Sequence, residues 1–393
     1  MTVSPTATCS LAPAVKFQAA TYADYLKQAS YTTGYFGKFL NPPAMEVFCN
    51  GGPNACRGSA CSRGRAGGSK HAGAGYDPSG PRITGWDELR AMCVTAYYDI
   101  PWVTEQGTVV YTGAQPANYS TSLVGNWTVD FIQRHAAAAR GGKPFFVSAA
   151  TRAPHGPQTP APWYADKLPE AKNLVDRPDF NFTSSASVKA AGAGHAGYIE
   201  EAPPITESEA AVFDTEFRDR WLTLMSVDDL VAGVVATLTA ERLLDNTFIF
   251  FSSDHGFHLG HLRLGFGKSH FYEFDARVPF LVRGPGVAAG STISSPGLNV
   301  NLAPTFIDLA GGVVPAHMDG VSIKSLLSGG GSSTAAAAAS QAPVVRRPDV
   351  LIEYTGLSDW PKGPKPWDSH TKASKRVNDS PNNTFRVSST AIA

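Results

Sequence analysis

The sequence predicts an α/β fold: a doubly wound, mainly parallel sheet with helices on both faces. Three observations predict it. Stretches with helical apolar spacing alternate with short, wholly apolar runs, those runs end in polar residues, and Gly/Ala/Ser-rich stretches separate the units. A strand covered on both faces reads as a continuous apolar run, and a parallel pair needs a helical crossover, so this alternation is the βαβ pattern. At 393 residues, 43% of them hydrophobic, the chain can bury one large domain of this kind or two ordinary ones.

Thr21 to Gln28 reads as a helix feeding a strand, Thr32 to Lys38, with a polar residue at its exit. Gly51 to Gly75 reads as a glycine-rich loop. Ser120 to Ala139 is a second helix, followed by a buried strand at Lys143 to Ala149 that ends near His155, and Ala186 to Gly197 is another loop. The clearest helix is Arg220 to Asp245, where Leu222, Met225, Val227, Leu230, Val231, Val234, Val235 and Leu238 recur at helical spacing. It leads into Asn246 to Asp254, an apolar run closed by a carboxylate. Arg277 to Arg283 is a fourth strand, and Asn301 to Ala310 a helix carrying Leu302, Phe306, Ile307 and Leu309. Residues 328–348, with five alanines at Ala335 to Ala339, read as a linker between a 1–327 domain and a partial C-terminal subdomain, 349–393, that opens on a strand at Asp349 to Tyr354. Doubly wound sheets bind ligands at the carboxyl ends of their strands. Those ends present Lys38, His155, Asp254 and His255.

Composition excludes several classes. The 33 basic and 33 acidic residues cancel, and charged residues are 17% of the chain, against roughly 25% in typical domains. No global field would hold nucleic acid or an anionic membrane. No apolar run approaches the ~18 residues of a membrane span, and the first twenty residues lack the pattern of a signal peptide. Five Asn-x-Ser/Thr sequons, at Asn118, Asn126, Asn181, Asn378 and Asn382, nevertheless point to the secretory pathway. Five cysteines are too few for a disulfide scaffold. Cys49, Cys56 and Cys61 share one Gly/Arg-rich region without CxxC spacing, and are expected to form a disulfide with a spare thiol or to lie in an unstructured insertion.

Asp254-His255 sets a hard oxygen beside an imidazole, a pairing that suits a divalent cation; a turn-capping Asp254 is the alternative. His155, between Pro154 and Pro157, could protonate a leaving group or bind an oxyanion, or be a loop histidine with no role. Lys38 and Lys268 each follow a Phe-Gly pair and offer a compact cation to an anionic group, surface lysines being the alternative. His255, His258, His261 and His270 match no standard zinc spacing. Cys9 is a nucleophile candidate only in principle.

These segments resemble the sulfatase family, within it the N-acetylglucosamine-6-sulfatase and arylsulfatase branch. The matching strings are TYADYLKQASYTTGYFGKFLN from Thr21, KPFFVSAATRAPHGP from Lys143, RWLTLMSVDDLV from Arg220, and SDHGFHLG, FGKSHFYEFDARVPF and VRGPGV between Asp245 and Val287, with NLAPTFIDLAG and MDGVSIKSLL in order after them. The resemblance implies the alkaline-phosphatase-like fold and hydrolysis of sulfate esters by a formylglycine made from cysteine, with one Ca2+ ion. A hydrated aldehyde offers two hydroxyls: one is sulfated, and the other then expels sulfate by reforming the aldehyde. By the resemblance, Asp254 and His255 are calcium ligands, Lys38 is the lysine beside the formylglycine, His155 lies near sulfate and the leaving oxygen, and Lys268 binds sulfate. Asn41 and His258 are implied to line the substrate pocket.

The sequence also departs from the family. Members carry an apolar strand ending in two aspartates, and then Cys-x-Pro-Ser-Arg, which the formylglycine-generating enzyme reads. This chain has Cys9-Ser-Leu-Ala-Pro13 and no paired aspartates. The expectation is therefore a truncated relative that keeps two calcium ligands, leaves Cys9 a thiol, exposes a sheet edge and is inactive. Its parent would be extracellular or lysosomal, acting on 6-sulfated glucosamine of glycosaminoglycans, a related sulfated carbohydrate or an aryl sulfate ester. A non-catalytic sulfated-carbohydrate-binding relative and a phosphodiesterase of the same superfamily are the competing readings.

Overall fold

The computed structural model describes residues 21–40, 45–49, 83–107, 109–168, 203–268, 272–293, 295–327, 349–355 and 384–390. Thr21 opens α1 (Tyr22–Gln28), its backbone N–H donating to Asp24 Oδ2 at 2.9 Å, so a side chain three residues on satisfies a donor at the helix start. Then come β1 (Thr32–Gly37), α2 (Glu46–Cys49), β2 (Glu88–Met92), β3 (Pro101–Thr104), β4 (Val109–Tyr111), α3 (Ser120–Arg140) and β5 (Phe145–Ala150). The strands form one sheet in the order β4-β3-β2-β1-β5. β1 lies at its heart, parallel to both neighbours, with Gly34 opposite Glu88 on one side and Val147 on the other. All six of its residues are buried. Successive side chains go to opposite faces: Tyr35 packs with Ala23 of α1 and Leu89, and Phe36 with Val124 and Phe131 of α3. That two-sided covering is why β1 reads as an unbroken run.

Further on lie α4 (Glu207–Ala240), β6 (Ile249–Phe251), β7 (His258–Leu259), β8 (Phe266–Gly267), α5 (Glu273–Ala276), β9 (Leu281–Arg283), α6 (Leu302–Leu309), α7 (Lys324–Leu327), β10 (Asp349–Thr355) and β11 (Thr384–Thr390). α4 starts at Glu207, well before the expected Arg220. Its first turns are rich in Glu, Asp and Ala and carry little apolar periodicity, but Thr206 and Glu209 close a reciprocal cap: Thr206 N–H donates to Glu209 Oε2 at 2.9 Å, and Glu209 N–H to Thr206 Oγ1 at 3.3 Å. By length and composition α4 could cross a membrane. Its most apolar window is one third buried, with Phe213, Leu222, Val227 and Leu238 turned inward.

The sheet is mixed, richer in antiparallel pairs than expected. β2–β3, β3–β4, β6–β9 and β7–β8 are all antiparallel. The strands β2 to β4 were not foreseen, being three to five residues long and just past the glycine-rich stretch. Among the described residues β5 pairs only with β1, and β6 only with β9. Yet both are held by the same helices. Phe145, Val147 and Ile249 share a cluster with Ile132, Ala136 and Leu238, and on the other face Phe146 and Phe250 meet Phe306 of α6 at 5.2 and 5.1 Å between ring centres. Each thus presents one backbone edge without a strand partner among the described residues.

One cysteine expectation is corrected. Cys49 is bonded to Cys93, with Cα atoms 5.7 Å apart, rather than to Cys56 or Cys61. The pairing joins residues that the fold packs together in the cluster around Leu89 and Met45. Cys9, Cys56, Cys61 and the linker lie outside the described residues, and β10 and β11 form an antiparallel pair with Asp349 opposite Thr390.

Candidate functional site

β1 delivers Lys38. Gly37 makes the exit possible: its φ is +124°, and a Cβ there would lie 1.8 Å from the Ala150 carbonyl oxygen, which instead accepts the Lys38 N–H at 2.8 Å. Tyr35 Oη donates to the Lys38 carbonyl, and burial holds the phenol well above its usual range. The Lys38 ammonium is mostly covered and reaches to 3.9 Å from Asp254 Oδ2.

β5 delivers His155 through residues 151–158, in which Ala153-Pro154 and Gly156-Pro157 are both cis. The His155 Nδ1 lies 2.8 Å from the Gly156 carbonyl, and a carbonyl only accepts, so Nδ1 carries the proton and Nε2 keeps a lone pair. The imidazole has an exposed rim, but the protein packed around it, and then Arg152, Lys268 and Lys38, hold its pKa down to about 4 against the Gly156 hydrogen bond. It is neutral at pH 7. Tyr97 Oη donates to the His155 carbonyl at 2.9 Å, and the buried Arg152 guanidinium lies 5.0 Å over the Tyr97 ring. Arg152 NH2 donates to the Gly156 carbonyl, while Nε and NH1 are buried with no hydrogen-bond partner among the described residues.

β6 delivers Asp254 and His255. Asn299 Nδ2 donates to the carbonyls of Ser253 and Asp254 at 3.0 and 3.2 Å, and Gly256 and Phe257 donate their N–H groups to Asp275 and Phe274 carbonyls at 2.9 and 2.8 Å. A Cβ on Gly256 would sit 2.0 Å from the Phe274 oxygen. His255 repeats the His155 pattern: Nδ1–H donates to the Gly256 carbonyl at 2.8 Å, so Nε2 is a lone-pair donor, and burial, then Lys268, lower its pKa. Lys268, just after β8, brings Nζ to 2.5 Å from that Nε2.

Asp254 Oδ2 and His255 Nε2 stand 3.4 Å apart. At a cation–donor distance of roughly 2.4 Å, that separation subtends about 90°, the cis angle of an octahedral or larger shell. Two of the donors that a divalent cation needs could therefore come from this pair. Among the described residues no group of three or more His, Cys, Asp or Glu side chains could hold a metal, and the Lys268 ammonium occupies the His255 Nε2 lone pair that a cation would need.

The five residues Lys38, His155, Asp254, His255 and Lys268 thus meet at one end of the sheet. His258 does not line the opening as expected. It is fully buried, with Nδ1 2.8 and 3.0 Å from the two Asp275 oxygens, because β7 turns it inward to hold the segment that carries α5. Asn41 and His270 lie outside the described residues.

A sulfatase family model matches residues 15–313, three quarters of the chain. The chain belongs to the sulfatase family. N-acetylglucosamine-6-sulfatases of goat and human are each 36% identical over 240 residues, 61% of this chain and 39% of theirs. The extracellular sulfatase SULF-1 homologue of Drosophila melanogaster is 33% identical over 310 residues, 78% of this chain and 24% of its own. This sulfatase chain thus spans about two fifths of the length of the mammalian relatives it matches. Among solved structures, a Bacteroides thetaiotaomicron protein from a glycosaminoglycan-metabolising locus aligns at TM-score 0.60 and 18% identity, covering 94% of this chain and 65% of that one. A protein solved with its substrate D-glucosamine-2-N,6-O-disulfate aligns at 0.55 and 20%, covering 86% and 68%. These likenesses show the alkaline-phosphatase-like fold.

Sequence reasoning gave no role to Arg152, Tyr97, Gln158, Glu216, Arg220 or Asn299. Arg152 and Arg220 lay inside the quoted family strings, but only the fold reveals that Arg152 ties the His155 loop to itself at Gly156 and that Arg220 faces that loop. Of the sequons, Asn126 is exposed on α3, whereas the Asn118 amide nitrogen donates to the Thr112 carbonyl; Asn181, Asn378 and Asn382 lie outside the described residues.

Proposed function

We propose that this site is the sulfate-binding half of a calcium-dependent sulfuric ester hydrolase acting on N-acetylglucosamine 6-sulfate units of glycosaminoglycans, and that the 393-residue chain holds such an ester without turning it over. The convergence of Lys38, Lys268 and a neutral His155 around the Asp254–His255 pair carries the reading. Two ammonium groups and an unsaturated cation-binding pair suit a tetrahedral oxyanion. The names of the mammalian relatives, and the glucosamine disulfate bound by one solved neighbour, favour a 6-sulfated glucosamine over an aryl sulfate.

Asp254 and His255 would hold the calcium, which when bound would neutralise charge on the sulfate oxygens. Lys38 and Lys268 would orient the sulfate. His155 is depressed partly by three nearby cations, so an arriving anion offsets them and raises its pKa, letting Nε2 take a proton that it can pass to the departing sugar oxygen. The absence of turnover rests on Cys9: Cys9-Ser-Leu-Ala-Pro13 departs from the pattern that the formylglycine-generating enzyme reads, so Cys9 would stay a thiol and supply no geminal hydroxyl. The Cys49–Cys93 bond, exposed Asn126 and the relatives named extracellular support passage through the secretory pathway.

Calorimetric titration and sulfate-release assays on the purified chain test this. N-acetylglucosamine 6-sulfate should bind, more tightly with calcium, unsulfated N-acetylglucosamine should not, and no sulfate should appear. Calcium-dependent sulfate release would overturn the inactivity; equal binding of both sugars would overturn the site.

A further inference from the structure

His155 and the Asp254–His255 pair hang from two strands, β5 and β6, that are not hydrogen-bonded to each other among the described residues. Among the described residues no sheet ladder fixes their relative position. Side chains must do so, and the 3.9 Å approach of Lys38 to an exposed Asp254 is a weak link. Arg220 of α4 offers a stronger one. Its NH1 donates to the Pro154 carbonyl at 3.0 Å, one residue before His155, while its guanidinium carbon lies 4.2 Å over the Phe257 ring, two residues after His255. One turn earlier Glu216 accepts a hydrogen bond from Gln158, which fixes the far end of the His155 loop to the same helix. A guanidinium can donate in its plane and stack through its face at once, which an ammonium cannot.

We propose that Arg220 is a positioning residue that sets the separation between His155 and the Asp254–His255 pair, by tying the Pro154 carbonyl to the Phe257 ring. This rests on reading His155 as part of the site. Arg220 touches neither of the residues it places. Its effect on them runs through one main-chain oxygen and one aromatic face.

The imidazole titration of His155, followed by NMR on the full chain, is the reporter. Burial acts most strongly on it, with the Gly156 carbonyl and Arg152 from its own loop, Lys38 beyond β1 and Lys268 beyond β8. Arg220 is itself a cation bonded one residue away, so Arg220→Ala changes charge as well as geometry, and Arg220→Lys, which keeps the charge, is the variant that reports movement of the loop. In the wild type His155 should titrate near pH 4. Arg220→Ala should raise that by at least one pH unit toward the ordinary 6.5, Arg220→Lys, which keeps the charge but loses the flat face, should move it the same way, and Arg218→Ala on the same helix should leave it in place. If Arg220→Ala fails to fold, Arg220→Lys and Phe257→Leu decide. A folded Arg220 variant whose His155 titrates as in the wild type, or an equal shift in Arg218→Ala, would overturn the bridge. A wild-type His155 that titrates near 6.5 would instead overturn the reading of the site itself.

Discussion

Glu216→Gln is a perturbation whose sign and size the structure gives. Burial, with Asp219 adding to it and Arg220 and Gln158 opposing, raises the Glu216 carboxyl from its ordinary 4.5 to about 7. Between those pH values the folded protein holds a proton that the unfolded chain has released. The resulting stability is fully present below pH 4.5 and is lost as pH rises through 7. At 1.36 kcal/mol per pH unit the loss has an upper bound of about 3 kcal/mol, and about 2 kcal/mol allowing for the solvent that reaches this half-buried residue. Gln cannot ionise, and its carbonyl oxygen can still accept from Gln158. The stability of Glu216→Gln relative to wild type should therefore grow by about 2 kcal/mol between pH 5 and pH 8, roughly 0.7 M in urea midpoint for a slope of about 3 kcal/mol/M. Urea unfolding at the two pH values measures it, and groups common to both proteins cancel. A difference that stays constant from pH 5 to pH 8 would refute the reasoning.

Three further perturbations act on the same fold. Gly37→Ala should cost about 3 kcal/mol, combining strain at φ +124° with loss of the Lys38-to-Ala150 hydrogen bond, and calorimetry should show a lowered Tm. Cys93→Ser opens a bond between residues 44 apart in sequence and should cost about 4 kcal/mol in denaturant unfolding, an effect that a reductant should reproduce in the wild type and not in the variant. Phe306→Ala removes the ring that meets both Phe146 and Phe250 and should cost about 3 kcal/mol, with faster amide exchange in β5 and β6 than in β2.

Much of the fold was legible because its strands pack apolar side chains against helices and so read as apolar runs. Thr32 to Lys38 matches β1 to within a residue and Lys143 to Ala149 matches β5 to within two. The start of α4 was hidden because Glu, Asp and Ala dominate its first turns, although Thr206 and Glu209 carried the capping signal in plain sight. The strands β2 to β4 are too short for periodicity to speak. At the site, strand exits singled out Lys38, His155, Asp254 and His255, and the Phe-Gly pair and the family resemblance singled out Lys268; the fold brings the five side by side. His258 misled, since sequence cannot tell a pocket histidine from one turned onto a buried Asp275. Arg220 was invisible as a bridge because its two partners, Pro154 and Phe257, lie 66 and 37 residues away in opposite directions along the chain.

The most direct test of the central claim is the His155 imidazole titration with and without saturating N-acetylglucosamine 6-sulfate. If Lys38, Lys268 and His155 jointly hold the sulfate, the bound anion offsets the cations that depress His155, and its titration should rise from about 4 by more than one pH unit, with no effect from unsulfated N-acetylglucosamine. A His155 that titrates identically with and without the sulfated sugar would contradict the account.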